Sequence, residues 1–224
     1  MPEKAIYSSD QEILDCSWSD KGASAWVTEK NGKTDLVYIS GNHEAFHLSS
    51  DMNRDFKTAS ISQLGTAERF LVGLTYAADS AKLPGNPDIW NGDDRKLEVK
   101  FQGGESEEIA VWDPKLRRLR MDSDDTALEK INIGDSVYVI GYNYYKTQDY
   151  IHQYPEFDLY RYKVENGKRQ YIGKGGYMLY YGSTGRFVLS NPRNNWVLYD
   201  IYTLTEKKLK IADTGDPYFS EDDQ

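Results

Sequence analysis

The chain has 224 residues and a net charge of −9, from 36 acidic against 27 basic side chains. That charge repels polyanions at long range and argues against nucleic acid as a partner. The single Cys16 excludes an internal disulfide, and no apolar run approaches the ~18 residues a membrane-spanning helix needs.

The opening Met1-Pro-Glu-Lys-Ala5 lacks the apolar core of a signal peptide. From Ile13 to Trp18 residues alternate as in a strand, with Leu14, Cys16 and Trp18 on one face, and Cys16 reads as a small buried hydrophobe. Asp20-Lys-Gly22 then turns the chain, Ala23 to Thr28 returns, Asn31-Gly32 supplies a strong hairpin signal, and Asp35 to Ile39 follows. Gly41-Asn42 turns once more before Glu44 to Leu48. This is a four-stranded meander in about 40 residues, the size of one propeller blade.

The pattern recurs three times more. Leu64-Gly65-Thr66, Ile133-Gly134-Asp135 and Ser183-Thr-Gly185 mark the early hairpins. The later halves are Ile109–Asp113 with Arg118–Met121, Asp158–Tyr162 with Arg169–Ile172, and Trp196–Asp200 with Lys208–Ile211. In the last copy, Met178–Tyr181, Arg186–Ser190, Trp196–Ile201 and Lys207–Ile211 form the strands, with Asn191–Asn195 as a turn.

The glycine intervals are uneven because of two insertions. Pro84-Gly85-Asn86-Pro87 and Asn91-Gly-Asp-Asp94 punctuate an extra hairpin in the second copy, and Tyr144 to Pro155 lengthens the third. The basic clusters Lys115 to Arg120 and Lys207 to Lys210 fall on outer strands, where charge guards a sheet edge against pairing.

These readings give an all-β fold of about four four-stranded antiparallel β-propeller blades. The expected organisation is one propeller domain over 1–224, with blades near 12–50, 58–121, 130–174 and 176–213 and a polar tail over 214–224. Aromatic content of 13%, with 18 Tyr and 18 Gly, suits short strands joined by tight turns.

Candidate chemistry is sparse. His43 and His47 lie in a turn and a strand, where a four-residue spacing does not converge on a metal, and His152 is remote in sequence. Asp122 to Glu129 lacks the sixth-position glycine of a calcium loop and has Ile133 where its bidentate Glu belongs. No metal or cofactor is expected. Asp93 and Asp94 are a carboxylate pair without a readable separation. The tyrosine-rich insertion carries the candidate binding residues Tyr144, Tyr145, Tyr150, His152 and Tyr154, since tyrosine offers a flat apolar face with a polar handle. The same rings can instead pack on a neighbouring blade.

The string Ile13-Leu-Asp-Cys-Ser-Trp18-Ser-Asp-Lys-Gly22 resembles the first blade strand of prolyl-oligopeptidase-like serine peptidases and of TolB-type proteins. The ordered series Asp88-Ile-Trp90, Ile109 to Asp113, Ile140 to Asn143, Asp158-Leu-Tyr160, Gly167-Lys-Arg169 and Tyr199-Asp200 is similar to the propeller of large bacterial prolyl oligopeptidases. That resemblance spans about Asp10 to Asp223.

It implies that the four blades are part of a larger propeller, which precedes an α/β-hydrolase domain whose catalytic Ser stands in a G-x-S-x-G elbow. Gly182-Ser183-Thr184-Gly185 has the wrong spacing, so Ser183 reads as a turn residue and the chain as a non-enzyme. The implied role is to shield the active site and filter substrates. The implied partners are the hydrolase domain or remaining blades and a peptide substrate, and the resemblance favours a periplasmic or extracytoplasmic compartment over the cytoplasm. The alternative is a stand-alone TolB-like scaffold for protein or ligand binding.

Overall fold

The computed structural model describes residues 12–18, 24–30, 33–77, 106–121, 129–143, 156–210 and 217–220. Their strands are β1 (Glu12–Trp18), β2 (Ser24–Lys30), β3 (Lys33–Ile39), β4 (Ala45–His47), β5 (Thr58–Gln63), β6 (Phe70–Tyr76), β7 (Ser106–Asp113) and β8 (Arg118–Met121). They continue with β9 (Glu129–Ile131), β10 (Tyr138–Tyr142), β11 (Phe157–Lys163), β12 (Arg169–Gly175), β13 (Leu179–Tyr181), β14 (Phe187–Ser190), β15 (Trp196–Asp200) and β16 (Thr205–Leu209).

These strands form four four-stranded antiparallel sheets, each built from strands consecutive in sequence: β1-β2-β3-β4, β5-β6-β7-β8, β9-β10-β11-β12 and β13-β14-β15-β16. The fold is all-β, and every sheet has the meander order of a propeller blade. Between β4 and β5 the chain makes one 3-10 turn at Leu48–Ser50.

Three of the four outer hairpins repeat one turn. Asp113 pairs with Arg118 and Asp200 with Thr205, while the Lys163 amide donates to the Lys168 carbonyl, so each loop holds four residues. The last loop residue adopts left-handed φ in each, at Arg117 (49°), Gly167 (70°) and Leu204 (58°). Two of the turns are organised by the opening carboxylate. Asp113 Oδ1 accepts from the Leu116 amide at 3.1 Å, and Asp200 Oδ1 accepts from the Tyr202 and Thr203 amides at 2.9 and 3.1 Å. The second oxygen of each binds an arginine of the preceding strand entry, Arg69 at 2.9 Å and Arg186 at 2.7 Å. The Trp-Asp and Tyr-Asp pairs seen in the sequence are thus turn devices.

By contact the chain forms two compact units, one holding β1–β8 and the other β9–β16. The first is centred on Tyr38, Leu48, Phe70, Val72, Leu74, Tyr76 and Trp112, all buried, with Tyr38 and Phe70 ring centroids 4.8 Å apart. The polar atoms of two of these rings find partners, as buried donors ordinarily do, whereas the buried Tyr76 hydroxyl has none among the described residues. Trp112 Nε1 donates to Asp51 at 2.9 Å and Tyr38 Oη to Glu68 at 2.8 Å.

In the second unit Ile133, Ile140, Phe157, Leu159, Ile172, Val188, Val197, Tyr199 and Ile201 form the core. Above it, buried Arg161 donates to the carbonyls of Ile201 and Tyr202 and to Gln170, and stacks on Tyr138 at 4.6 Å. Tyr202 in turn donates to buried Asp135 at 2.7 Å.

Two sequence expectations change. Cys16 is exposed rather than buried, as are Ile13 (43%) and Leu14 (51%). A register shift between Ile13 and Asp15 interrupts the alternation, and β1 is an edge strand, so simple face assignment fails there. The last strand starts at Thr205 and ends at Leu209, not Lys207–Ile211, because the four-residue turn from Asp200 closes sooner than expected. Of the basic clusters, Arg118, Lys207 and Lys208 lie exposed on the edge strands β8 and β16 as expected, whereas Lys115 and Arg117 stand in the turn before β8.

Candidate ligand cleft

The expected binding residues Tyr144, Tyr145, Tyr150, His152 and Tyr154 lie outside the described residues, as do Asp93, Asp94 and the Asp122 to Ala127 segment. His43 sits in the β3–β4 turn at left-handed φ of 63°. His47 on β4 is bound through Nδ1 to Asp35 Oδ2 at 2.8 Å, and Ser49 donates its amide to the other Asp35 oxygen at 3.0 Å. His47 thus works in local packing. Ser183 lies in the β13–β14 turn, where the Gly185 amide donates to the Gly182 carbonyl at 3.0 Å. Among the described residues no group of three or more His, Cys, Asp or Glu side chains clusters as metal ligands do.

The site that sequence reading missed is a cleft of about 400 Å³ within the second unit. Its floor is the face of β15 carrying Val197 and Tyr199 together with Ile172 and Gly173 of β12. Strand alternation puts Glu206 and Lys208 of β16 on that same face, since Glu206 is registered with Tyr199 and Lys208 with Val197. The far end is closed by Pro192, Arg193 and Asn195 from the β14–β15 loop and by Glu156, which precedes β11.

Glycine makes this packing possible. A Cβ on Gly173 would stand 2.8 Å from Tyr199 Cζ and closer still to Cε1, inside any real contact distance. Tyr199 therefore lies flat against the β12 backbone and donates its hydroxyl to the Lys174 carbonyl at 2.7 Å. That bond occupies an acceptor at the sheet edge, because β12 is the terminal strand of its sheet. Burial first, and then the Glu206 charge, push the Tyr199 phenol up to about 12. It remains a neutral donor at physiological pH.

The end wall is an ion pair on a strained turn. The Asn195 amide donates to the Pro192 carbonyl at 2.9 Å across Arg193 and Asn194, whose φ values are 48° and 61°. Two consecutive left-handed residues are the signature of a type I′ turn, where Gly, Asn or Asp is the ordinary choice and a long side chain costs about 1–2 kcal/mol. Arg193 nevertheless occupies the first position and binds Glu156 at 2.7 Å, with its side chain 75% exposed.

Lys174 lies alongside, bound to Asp158 at 2.7 Å and 3.9 Å from Glu156. Its hydrogen bond to Asp158 is the main cause raising its pKa above the ordinary lysine value. On the opposite wall the charges are unspent. Among the described residues Glu206 and Lys208 form no ion pair and no side-chain hydrogen bond. Tyr171, half exposed, stands at the rim with its ring edge-on to Tyr160 at 5.7 Å.

No family model and no curated protein matches the sequence. Among solved structures the chain is similar to the tricorn protease, with a TM-score of 0.34 and 8% identity over 88% of this chain and 26% of that one. It is also similar to an acylaminoacyl peptidase in complex with Z-Gly-Gly-Phe-chloromethyl ketone, with a TM-score of 0.43 and 13% identity over 90% of this chain and 32% of that one. A third is an oligogalacturonate lyase from Vibrio parahaemolyticus, with a TM-score of 0.40 and 8% identity over 97% of this chain and 71% of that one. The chain thus spans about a quarter to a third of the two peptidases it is similar to.

Proposed function

We propose that the chain is a non-catalytic β-propeller region of a prolyl-oligopeptidase-like serine peptidase, shielding the active site and admitting substrates by size. The observation that carries the reading is the succession of four four-stranded meanders in strict sequence order. The ordered resemblance from Asp10 to Asp223 supports the family. Edge strand β1 adds to it, because Ile13, Leu14 and Trp18 (60% exposed) offer apolar surface on which further blades or a hydrolase domain can dock. The partners in this reading are the α/β-hydrolase domain or the remaining blades, and a peptide substrate approached by Tyr144, Tyr145, Tyr150, His152 and Tyr154.

The test adds this chain in trans to the hydrolase domain encoded with it. Cleavage is followed for a chromogenic dipeptide and for a peptide of about 30 residues. A shield lowers cleavage of the long peptide by at least about ten-fold and leaves the short one unchanged, since steric filtering acts on size. Equal effects on both, or no association, refute the reading.

A further inference from the structure

We propose that the cleft between β12 and the β15–β16 face binds a dipeptide-sized zwitterion, its amino terminus on Glu206 and its carboxylate on Lys208. The inference goes beyond the shielding role, because the cleft is built wholly from the second unit and needs no hydrolase partner.

Three observations carry it. The first is the charge inventory of the walls. Arg193 and Lys174 are already bound to Glu156 and Asp158, so the cationic end is spoken for. Glu206 and Lys208 are left, one of each sign, pointing to the same face two residues apart. A purely anionic ligand meets Glu206, and a purely cationic one meets Lys208. A ligand bearing both charges satisfies both.

The second is spacing. Alternate residues of a strand stand ~6.4–6.8 Å apart. Two extended residues of peptide span at most ~7 Å between their ends. The two lengths match for a dipeptide, and the Glu156–Arg193 ion pair stands at the far end of the cleft.

The third is the floor. Tyr199, Val197 and Ile172 provide an apolar bed for a side chain, with the Tyr171 ring at the rim. A volume of about 400 Å³ falls within the range of ~300–1,000 Å³ typical of small-molecule sites. Arg193 holds its position against backbone strain, and local strain of this kind collects at ligand sites.

The test uses the full chain and the dipeptide Ala-Phe, with binding read by calorimetry and by the amide resonances of Gly173 and Lys174. Ala-Phe is expected to bind and shift both resonances. Amidating its carboxylate or acetylating its amine should each weaken binding by about ten-fold or more, the worth of one charge-assisted hydrogen bond. Lys208→Gln should produce the same loss for Ala-Phe and no further loss for the amidated peptide, and Glu206→Gln should do the same with the acetylated one. Both residues are exposed strand positions, so the variants retain the fold, checked by their amide spectra.

The proposal is overturned if the doubly blocked peptide binds as tightly as Ala-Phe, if either variant leaves affinity unchanged, or if millimolar Ala-Phe moves neither resonance.

Discussion

Replacing Gly173 by alanine tests the packing that creates the cleft. The added methyl would lie 2.8 Å from Tyr199 Cζ and 2.9 Å from its hydroxyl oxygen. An ordinary carbon contact is ~3.5–4.0 Å, so ring and strand must separate by roughly 1 Å. Tyr199 cannot swing aside cheaply, being 2% exposed and tied by its hydroxyl to the Lys174 carbonyl. Overpacking of this kind costs about 1–3 kcal/mol. Gly41 is the control, with nothing within 4 Å of its virtual Cβ. Gly41→Ala is expected to be neutral or to stabilise by up to about 1 kcal/mol, through the unfolded chain. Urea unfolding followed by circular dichroism measures both, and Tyr199→Leu in the Gly173→Ala background should return part of the loss because the ring is gone. If Gly173→Ala matches Gly41→Ala within about 0.5 kcal/mol, the close approach of β12 to Tyr199 is wrong.

Further outcomes follow from the turns and the buried phenols. Leu204 occupies the left-handed position that Gly167 holds in the preceding sheet, so Leu204→Gly is expected to stabilise by about 0.5–1 kcal/mol, and a loss in urea midpoint would refute the strain. Asp200→Ala removes the acceptor of two turn amides and the Arg186 partner, and should cost about 1–2 kcal/mol at neutral pH. Burial alone would raise the Asp200 carboxyl, but the Arg186 hydrogen bond and the Thr203 and Tyr202 amides outweigh it and hold it below the ordinary value. Its stabilisation is therefore present above pH 3.8 and fades as pH falls through the lower native value, so wild type and Asp200→Ala should converge in strong acid. Tyr76 and Tyr199 are both pushed from 10.0 up to about 12, burial being the main cause. Unfolding releases their protons more readily, so stability is full below pH 10 and declines toward pH 12. A melting temperature flat across that interval contradicts the burial.

The sheets were legible because their signals are local. Alternation over Asp158 to Tyr160 and Trp196 to Asp200, and glycines at 65, 134 and 185 with left-handed φ, each act within a few residues. Cys16 misled because a bulge shifts the register of its strand, which a sequence of alternating residues does not announce. The cleft was hidden for a different reason. Glu156, Lys174, Arg193, Glu206 and Lys208 come from the entry to β11, from β12, from the β14–β15 loop and from β16, and each alone reads as a solvated charge. The available clue was Gly173-Lys174-Gly175-Gly176, since glycines inside a strand mark close backbone approach. Tyr199, Phe157 and the Asn191 carbonyl fill the space where those glycines' side chains would be.

The claim beneath all of this is that the sheets are meanders of neighbouring segments, and cross-strand nuclear Overhauser effects in labelled protein test it most directly. Contacts are expected for the registered pairs Val72 with Ala110, Val139 with Tyr162, and Leu189 with Leu198. Finding those strands paired instead with distant segments, or Leu189 and Leu198 in helical connectivities, would contradict the blade architecture and the cleft built on it.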